Sequence, residues 1–324
     1  MTLRVIDRET VRRILTYEAA IPLMREAMMA LSAGRTRQLL RQIIPLGDGR
    51  AFGVMPGAGE ETFGAKLISV FPENFARGRQ SHQGGVLLFE PEGGAPVALI
   101  HAGEITAIRT AAASAAATDV LARSGAGVLA LLGYGEQALT HARALARVRP
   151  VSEIRVWGRS NERAWKLAAA LQAELNLPAR ASPTAAEAVR GADLICAVSG
   201  AVDPILLSVD VMDGAHVNLV GSSTAGSREA DDALVARARL FADHRDGVLA
   251  QGGEVLHAIA AGAIGADHVL GEIGEVMAGT LAGRLAETDV TIYKSLGAIA
   301  QDLAAGWFIY RRAVEADLGT EAPF

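Results

Sequence analysis

Residues 127–159 read GVLALLGYGEQALTHARALARVRPVSEIRVWGR, and this stretch decides the fold. The apolar run Val128 to Leu132 has the length of a strand and enters the turn Gly133-Tyr134-Gly135-Glu136-Gln137-Ala138, a G-x-G-x-x-A pattern. A helical spacing follows (Ala138, Leu139, Ala142, Leu145, Ala146), then a second apolar run, Ile154 to Trp157. Strand, glycine turn, helix and strand within about 30 residues is the context in which such a turn holds a dinucleotide. Gly133 permits the tight turn, Gly135 lets backbone approach a pyrophosphate, and Ala138 lets the helix lie close to the strand. The helix start at Glu136 and Gln137 offers N–H groups and a positive dipole end to phosphate. A plain glycine-rich strand-to-helix turn is the competing reading; the flanking pattern favours the dinucleotide.

The end of the second strand chooses between cofactors. An acid there holds the ribose 2′-OH of NAD, whereas an arginine accommodates a 2′-phosphate. The sequence runs Val156-Trp157-Gly158-Arg159-Ser160-Asn161, without an acid. Arg159 can face a phosphate and an adenine ring, and Ser160 can donate a hydrogen bond. NADP(H) is therefore favoured and NAD(H) possible, against the competing reading of Arg159 as a solvated loop residue.

With 324 residues, 50% of them hydrophobic, the chain can bury a large core in one large or two modest domains. Its net charge is −5 and its basic residues are dispersed, which argues against nucleic-acid binding. Cys196 is the single cysteine and lies in an apolar run, so no disulfide framework exists and a reducing cytosol is expected. The opening MTLRVIDRETVRRIL carries charge throughout and has no apolar signal core. No uncharged apolar run reaches membrane-spanning length. No metal-ligand cluster is expected.

Working outward to the N-terminal side, residues 3–6 suit a short strand, and Thr16 suits the cap of a helix ending at Ser32, stopped by Gly34. Pro22 sits badly inside that helix and suggests a start near Ile21. From Gln38 to Leu99 the pattern changes to short strands at 41–45, 51–55, 63–71, 85–89 and 96–100, separated by GDG, PGAG, PEN and PEGG. This predicts a small, mostly antiparallel or mixed sheet. Residues 103–123 form a long alanine-rich helical pattern.

Two cations stand out. Strand alternation puts Lys66 on the face of Ile68 and Val70, where a lysine either snorkels to water or meets an anion. Arg109 has Ile105, Thr106, Ala112 and Ala113 as its helical neighbours, so no carboxylate waits on its own helix. If buried, it needs an anion from elsewhere: a distant side chain or a bound carboxylate. The residues alone leave both choices open.

On the C-terminal side, strands and helices alternate: helices at 162–174 and 184–190, strands at 193–199, 215–220 and 240–243. Residues at the carboxyl ends of such strands line the ligand crevice of an open α/β sheet. Ser199 and Ser223 are candidates there, with ordinary turn chemistry as the alternative. A loop region is expected up to Thr291, then a final amphipathic helix, 298–314, with Ile299, Leu303, Trp307 and Tyr310 at packing intervals. The expected architecture is α/β: a Rossmann-type doubly wound parallel sheet, residues 118–295, inserted into a smaller α+β domain, residues 1–117 plus 296–324.

Taken together the motifs resemble the ornithine cyclodeaminase/mu-crystallin family. The resemblance is carried by 41–45 (RQIIP), Gly53-Val54-Met55-Pro56, Ala65-Lys66-Leu67, Ser81-His82-Gln83 and 106–112 (TAIRTAA). Further along it rests on the Gly133 turn, Gly221-Ser222-Ser223 with Arg228-Glu229, 270–276 (LGEIGEV) and Lys294-Ser295-Leu296-Gly297. It implies a homodimer whose first domain supplies the dimer sheet and substrate pocket. It implies that Arg41, Lys66 and Arg109 hold a substrate α-carboxylate, with Met55 and Ser223 beside them, and that Ser81 and Ser295 lie by the cofactor. Lys66 and Arg109 are the expected catalytic residues.

The cyclodeaminase branch carries an acid where Gly53 stands and a catalytic aspartate where Ser223 stands. Cyclodeamination needs an acid and a base, so these departures point to the mu-crystallin-like imine reductase branch. The resemblance thus implies reduction of an α-imino acid by NAD(P)H, either a cyclic imine such as pyrroline-2-carboxylate or piperideine-2-carboxylate or an open-chain one such as iminosuccinate. Ornithine cyclodeamination, amino-acid dehydrogenation and non-enzymatic NADPH binding are the alternatives.

Overall fold

The computed structural model describes residues 2–324, with residues 75 and 76 described by backbone alone. The chain opens with β1 (Thr2–Ile6), α1 (Arg8–Ile14) and α2 (Tyr17–Ser32). Six strands follow: β2 (Arg37–Gln38), β3 (Gln42–Gly47), β4 (Arg50–Ala58), β5 (Phe63–Val70), β6 (His82–Phe89) and β7 (Pro96–His101). The long helix α3 (Ala102–Leu121) leads to β8 (Val128–Leu132), α4 (Glu136–Leu145), β9 (Glu153–Trp157), α5 (Asn161–Leu175) and β10 (Ala179–Ala181). Next come α6 (Ala185–Val189), β11 (Leu194–Ala197), β12 (His216–Leu219), α7 (Asp232–Arg237) and β13 (Arg239–Ala242). The chain closes with α8 (Arg245–Gln251), α9 (Gly253–Ala260), β14 (Val269–Glu272), α10 (Ile273–Met277), β15 (Thr291–Lys294), α11 (Ile299–Glu315) and β16 (Thr320–Pro323).

The chain divides into two compact units, 1–109 with 298–324, and 110–297. The first boundary falls nearer the start of α3 than residue 117. In the smaller unit the sheet runs β16-β1-β7-β6-β5-β4-β2, with β3 paired to β4. It is mixed: β1 pairs parallel to β7, while β4, β5, β6 and β7 pair antiparallel. Helix α11 packs on β4, β5 and β6, and on α2. Alternation then buries Ile68, Val86, Leu88, Ala98 and Ile100 on one face of the sheet. Val5, Phe63, Leu67 and Leu99 remain exposed.

The larger unit holds a wholly parallel sheet in the order β10-β9-β8-β11-β12-β15-β13-β14. The chain winds outward from β8 through β9 to β10, then returns to β11 on the other side of β8. Right-handed crossovers therefore place helices on both faces. Strands covered on both faces should be apolar throughout. β11 (Leu194, Ile195, Cys196, Ala197) is fully buried and central to that pattern.

Two expectations need correction. Helix α2 starts at Tyr17, with Thr16 in the N-cap position but making no side-chain capping bond, and runs through Pro22 rather than beginning near Ile21. The proline forfeits one helical hydrogen bond, but Ala20, Met24, Ala27, Met28 and Leu31 are buried along one face, and that packing outweighs the loss. The region expected as loop between 244 and 290 contains α8, α9, β14 and α10. Gly252 is the N-cap of α9, and a Cβ on Gly253 would lie 1.9 Å from Ser227 O. Close packing, not turn formation, requires that glycine.

Candidate functional site

In the smaller unit, alternation along β5 turns Lys66 toward the buried face, where Ile68 lies two residues on. Lys66 is 2% exposed, so it does not snorkel. Its Nζ lies 3.1 Å from Asp302 Oδ1 on α11. Arg109, 5% exposed on α3, brings Nε to 3.2 Å from the same oxygen and donates from Nη1 to Gln301 Oε1 at 2.7 Å. The other oxygen, Asp302 Oδ2, is buried with no hydrogen-bond partner among the described residues. Arg41, just before β3, is close enough to depress the pKa of both Lys66 and His82. Met55 is buried on β4 directly opposite Lys66 in the sheet register.

Two buried cations, Lys66 and Arg109, share one oxygen of Asp302, and Arg41 lies near enough to act on Lys66. Burial lowers the Lys66 pKa to about 8; Asp302 pulls it back up, while Arg109 and Arg41 push it down. His82, exposed as a residue on β6, is held down to about 4, first by desolvation and then by repulsion from Lys66, Arg109 and Arg41. Desolvation and the three cations act in the same direction, and the imidazole is neutral at pH 7. Ser81 Oγ lies 3.0 Å from His82 Nδ1. Asp302 and Gln301 escaped the sequence reading because the stripe on α11 was traced through Ile299 and Leu303. The signal was there: a glutamine and an aspartate between those two apolar residues, at the start of a helix that must pack.

In the larger unit, Gly133 adopts φ +141°, and a Cβ there would lie 2.7 Å from Val198 O. Only glycine makes that turn without strain. Gly135 is the N-cap of α4 and supplies no side-chain hydrogen bond, so the start of the helix presents backbone N–H groups and the positive end of its dipole. Gln137 Oε1 is buried without a partner among the described residues. Arg159 is exposed at the end of β9 and Ser160 is the N-cap of α5, accepting from Arg163 N at 3.3 Å. Tyr134 lies against Gly158, where a Cβ would meet its ring at 2.2 Å, and the Arg163 guanidinium sits 5.9 Å from the ring centroid. Tyr134 and Arg163 were not singled out in the sequence; a glycine beside the strand-end arginine was the available hint.

Ser199, Ser223 and Ser295 follow β11, β12 and β15. Ser199 Oγ is engaged by Glu229 Oε1 at 2.8 Å, whereas Ser295 Oγ is buried and finds no partner among the described residues. An uncapped helix at a glycine turn, an arginine at the next strand end and orphaned buried polar atoms fit a dinucleotide. Among the described residues no cluster of His, Cys, Asp and Glu could hold a metal, and no helix is long and apolar enough to cross a membrane.

A doubly wound parallel sheet with this glycine turn defines a dinucleotide-binding α/β protein. The ornithine cyclodeaminase/mu-crystallin family model matches residues 3–317, and the chain belongs to that family. Among its relatives, ketimine reductase mu-crystallin of Mus musculus is 38% identical over 280 residues, 86% of this chain and 85% of that one. Delta(1)-pyrroline-2-carboxylate reductase of Bacillus cereus is 31% identical, covering 99% of each chain. Thermococcus litoralis Delta(1)-pyrroline-2-carboxylate reductase, solved with NADH and L-proline, superposes with TM-score 0.95 at 29% identity, covering 98% of this chain and 99% of that one. The iminosuccinate reductase of Paracoccus denitrificans with NAD+ gives 0.92 at 31%, with both chains fully covered. An archaeal alanine dehydrogenase dimer with NAD gives 0.94 at 26%, again over all of both chains.

Proposed function

We propose that this chain reduces an α-imino acid to the amino acid with NAD(P)H. The observation that carries the reading is the buried pair Lys66 and Arg109, which shares one oxygen of Asp302, with Arg41 near enough to act on Lys66, so that cationic side chains gather where a substrate anion would be held. Arg109 and Arg41 grip the substrate carboxylate, and so orient the imine carbon. The reduced nicotinamide, when bound, supplies the hydride. The imine nitrogen takes one proton, and Lys66, charged below about pH 8, is the titratable group assigned to provide or relay it. The residues assigned to the cofactor are Ser81, Gly133, Gly135, Glu136, Gln137, Arg159, Ser160, Ser199 and Ser295, with Ser223 on the substrate side.

Gly53 supports reduction over cyclodeamination. A Cβ there would lie 3.1 Å from Ile43 Cδ1 and 3.2 Å from Ile68 Cγ2, so Ile43 and Ile68 pack into the space beside this glycine, and the acid that cyclodeamination would use there is absent. Cyclic imino acids are the leading substrates, because no further cation is assigned to a second carboxylate. NADP(H) is the preferred cofactor on the strength of Arg159 and the absence of an acid at the end of β9. A homodimer is supported by the exposed apolar sheet residues Val5, Phe63, Leu67 and Leu99, at 36–40% exposure, and by the dimer of the alanine dehydrogenase. The single buried thiol, Cys196, suits a cytoplasmic setting.

The test follows NADPH and NADH oxidation with pyrroline-2-carboxylate, piperideine-2-carboxylate, iminosuccinate and pyruvate, with and without ammonia, and ornithine turnover in parallel. Oxidation driven by an imino acid without added ammonia is expected. Tight NADPH binding with no oxidation on any substrate, or proline and ammonia released from ornithine, would overturn the reading.

A further inference from the structure

Behind the ends of β11 and β12 lies a closed circuit of buried charge that the reading above does not use. The β11–β12 ladder ends at the pair Ala197 and Leu219. Just beyond it Val220 N and Gly221 N still donate to Ala197 O, at 3.0 and 3.1 Å. Glu229 adds a second acceptor for Gly221 and accepts from Ser199 and Ser222. Its Oε1 accepts from Ser199 N at 2.7 Å and Ser199 Oγ at 2.8 Å. Its Oε2 accepts from Gly221 N at 2.7 Å and Ser222 N at 3.2 Å. One carboxylate thus bridges both strand-end turns. The turns are so close that a Cβ on Gly221 would lie 2.0 Å from Ser199 O.

Glu229 is itself fixed. Its N–H donates to Glu254 Oε1 at 3.0 Å, and Glu254 Oε2 lies 2.7 Å from Lys294 Nζ. Lys294 Nζ donates back to Ser222 O at 2.6 Å, closing the ring. Glu229 and Lys294 are fully buried and Glu254 is 1% exposed. Two acids and one base taken out of water cost desolvation that apolar residues of similar size would avoid. Such a circuit earns its place by fixing geometry rather than by adding stability.

We propose that Glu229 is a positioning residue that sets the spacing of the 199–201 and 221–223 turns and thereby seats the nicotinamide end of the cofactor. The proposal rests on the assignment of these turns to cofactor and substrate. Replacing the carboxylate with a carboxamide of the same size turns an N–H₂ group toward backbone N–H donors on one side. The turn facing it must then move.

The experiment compares wild type with Glu229→Gln and, as a milder variant away from the turns, Glu254→Gln. Three quantities are read: hydrogen exchange at the amides of Ser199, Gly221 and Ser222, the dissociation constant for NADPH by its fluorescence, and KM for the imino acid. In Glu229→Gln, faster exchange at those amides and about tenfold weaker NADPH binding are expected, with a smaller rise in the imino acid KM through the displaced Ser223 turn. Glu254→Gln should move the same quantities less and keeps the test available should the first variant not fold. Faster exchange with unchanged NADPH affinity would overturn the positioning role and the assignment of the turns together. Unchanged exchange would overturn the brace itself. The fluorescence titration needs no turnover, so absence of reductase activity in the wild type would count against the proposed reaction without touching this result.

Discussion

The smaller unit gathers recognition groups that are side chains from distant parts of the chain: Arg41 before β3, Lys66 on β5, Arg109 on α3 and Asp302 on α11. The larger unit presents mainly backbone: the N–H groups at the start of α4 and the turns that follow β11 and β12. The first arrangement depends on charge, which one substitution removes. The second depends on turn geometry, which a side-chain change reaches only indirectly. The units should therefore fail differently, one losing substrate and the other losing cofactor.

The largest effect should come from Arg109→Ala. It removes the guanidinium that balances Asp302 and grips the substrate, and it leaves Asp302 Oδ1 with Lys66 as its remaining ion-pair partner. A lost charged contact that holds the reacting group in place is expected to cut kcat/KM for the imino acid about a thousandfold. The NADPH dissociation constant should stay within about threefold. Steady-state kinetics beside a fluorescence titration checks both, and a comparable loss in cofactor binding would erase the contrast between the units.

Arg159→Ala should act on the other unit and more weakly. Arg159 is exposed at the end of β9, so its contact with a 2′-phosphate is screened by solvent. KM for NADPH is expected to rise about ten- to thirtyfold, with KM for NADH nearly unchanged. Equal effects on both cofactors would assign Arg159 to the shared part of the dinucleotide, and no effect would return it to the solvent.

The same contrast explains what could be read from the sequence. Backbone recognition is local: a strand, Gly133, Gly135 and a helix start lie within one short stretch, and the order of strands and helices follows from it. The side-chain cluster is assembled by packing. Lys66 and Arg109 were conspicuous because each broke an apolar pattern, but their shared partner Asp302 lies far along the chain on α11. Nothing local connects residue 66 with residue 302. Glu229 and Lys294 stood in quoted motifs without a role, and Glu254 was not singled out, since each is an ordinary charged residue until the fold buries all three. The helices α8 and α9 are short and meet at Gly252 and Gly253, which serve as cap and packing site, so no long apolar period marks them.

The smallest effect expected is one of pH. Lys66 is ordinarily protonated to about 10.5 and is held down to about 8 here, chiefly by burial. Between those values the unfolded chain binds the proton and the folded chain does not, so this group makes stability rise with pH across that window. Substrate binding goes the other way, because the ammonium that faces the carboxylate is lost above about pH 8. KM for the imino acid should climb severalfold over the next pH unit while the affinity for NADPH stays flat. Asp302 raises the Lys66 pKa, so Asp302→Asn should move the rise to lower pH. Lys66→Arg, whose guanidinium does not titrate in this range, should flatten it. A rise that persists unchanged in Lys66→Arg would belong to another group, and the charge-built site would then answer to pH through something other than its central lysine.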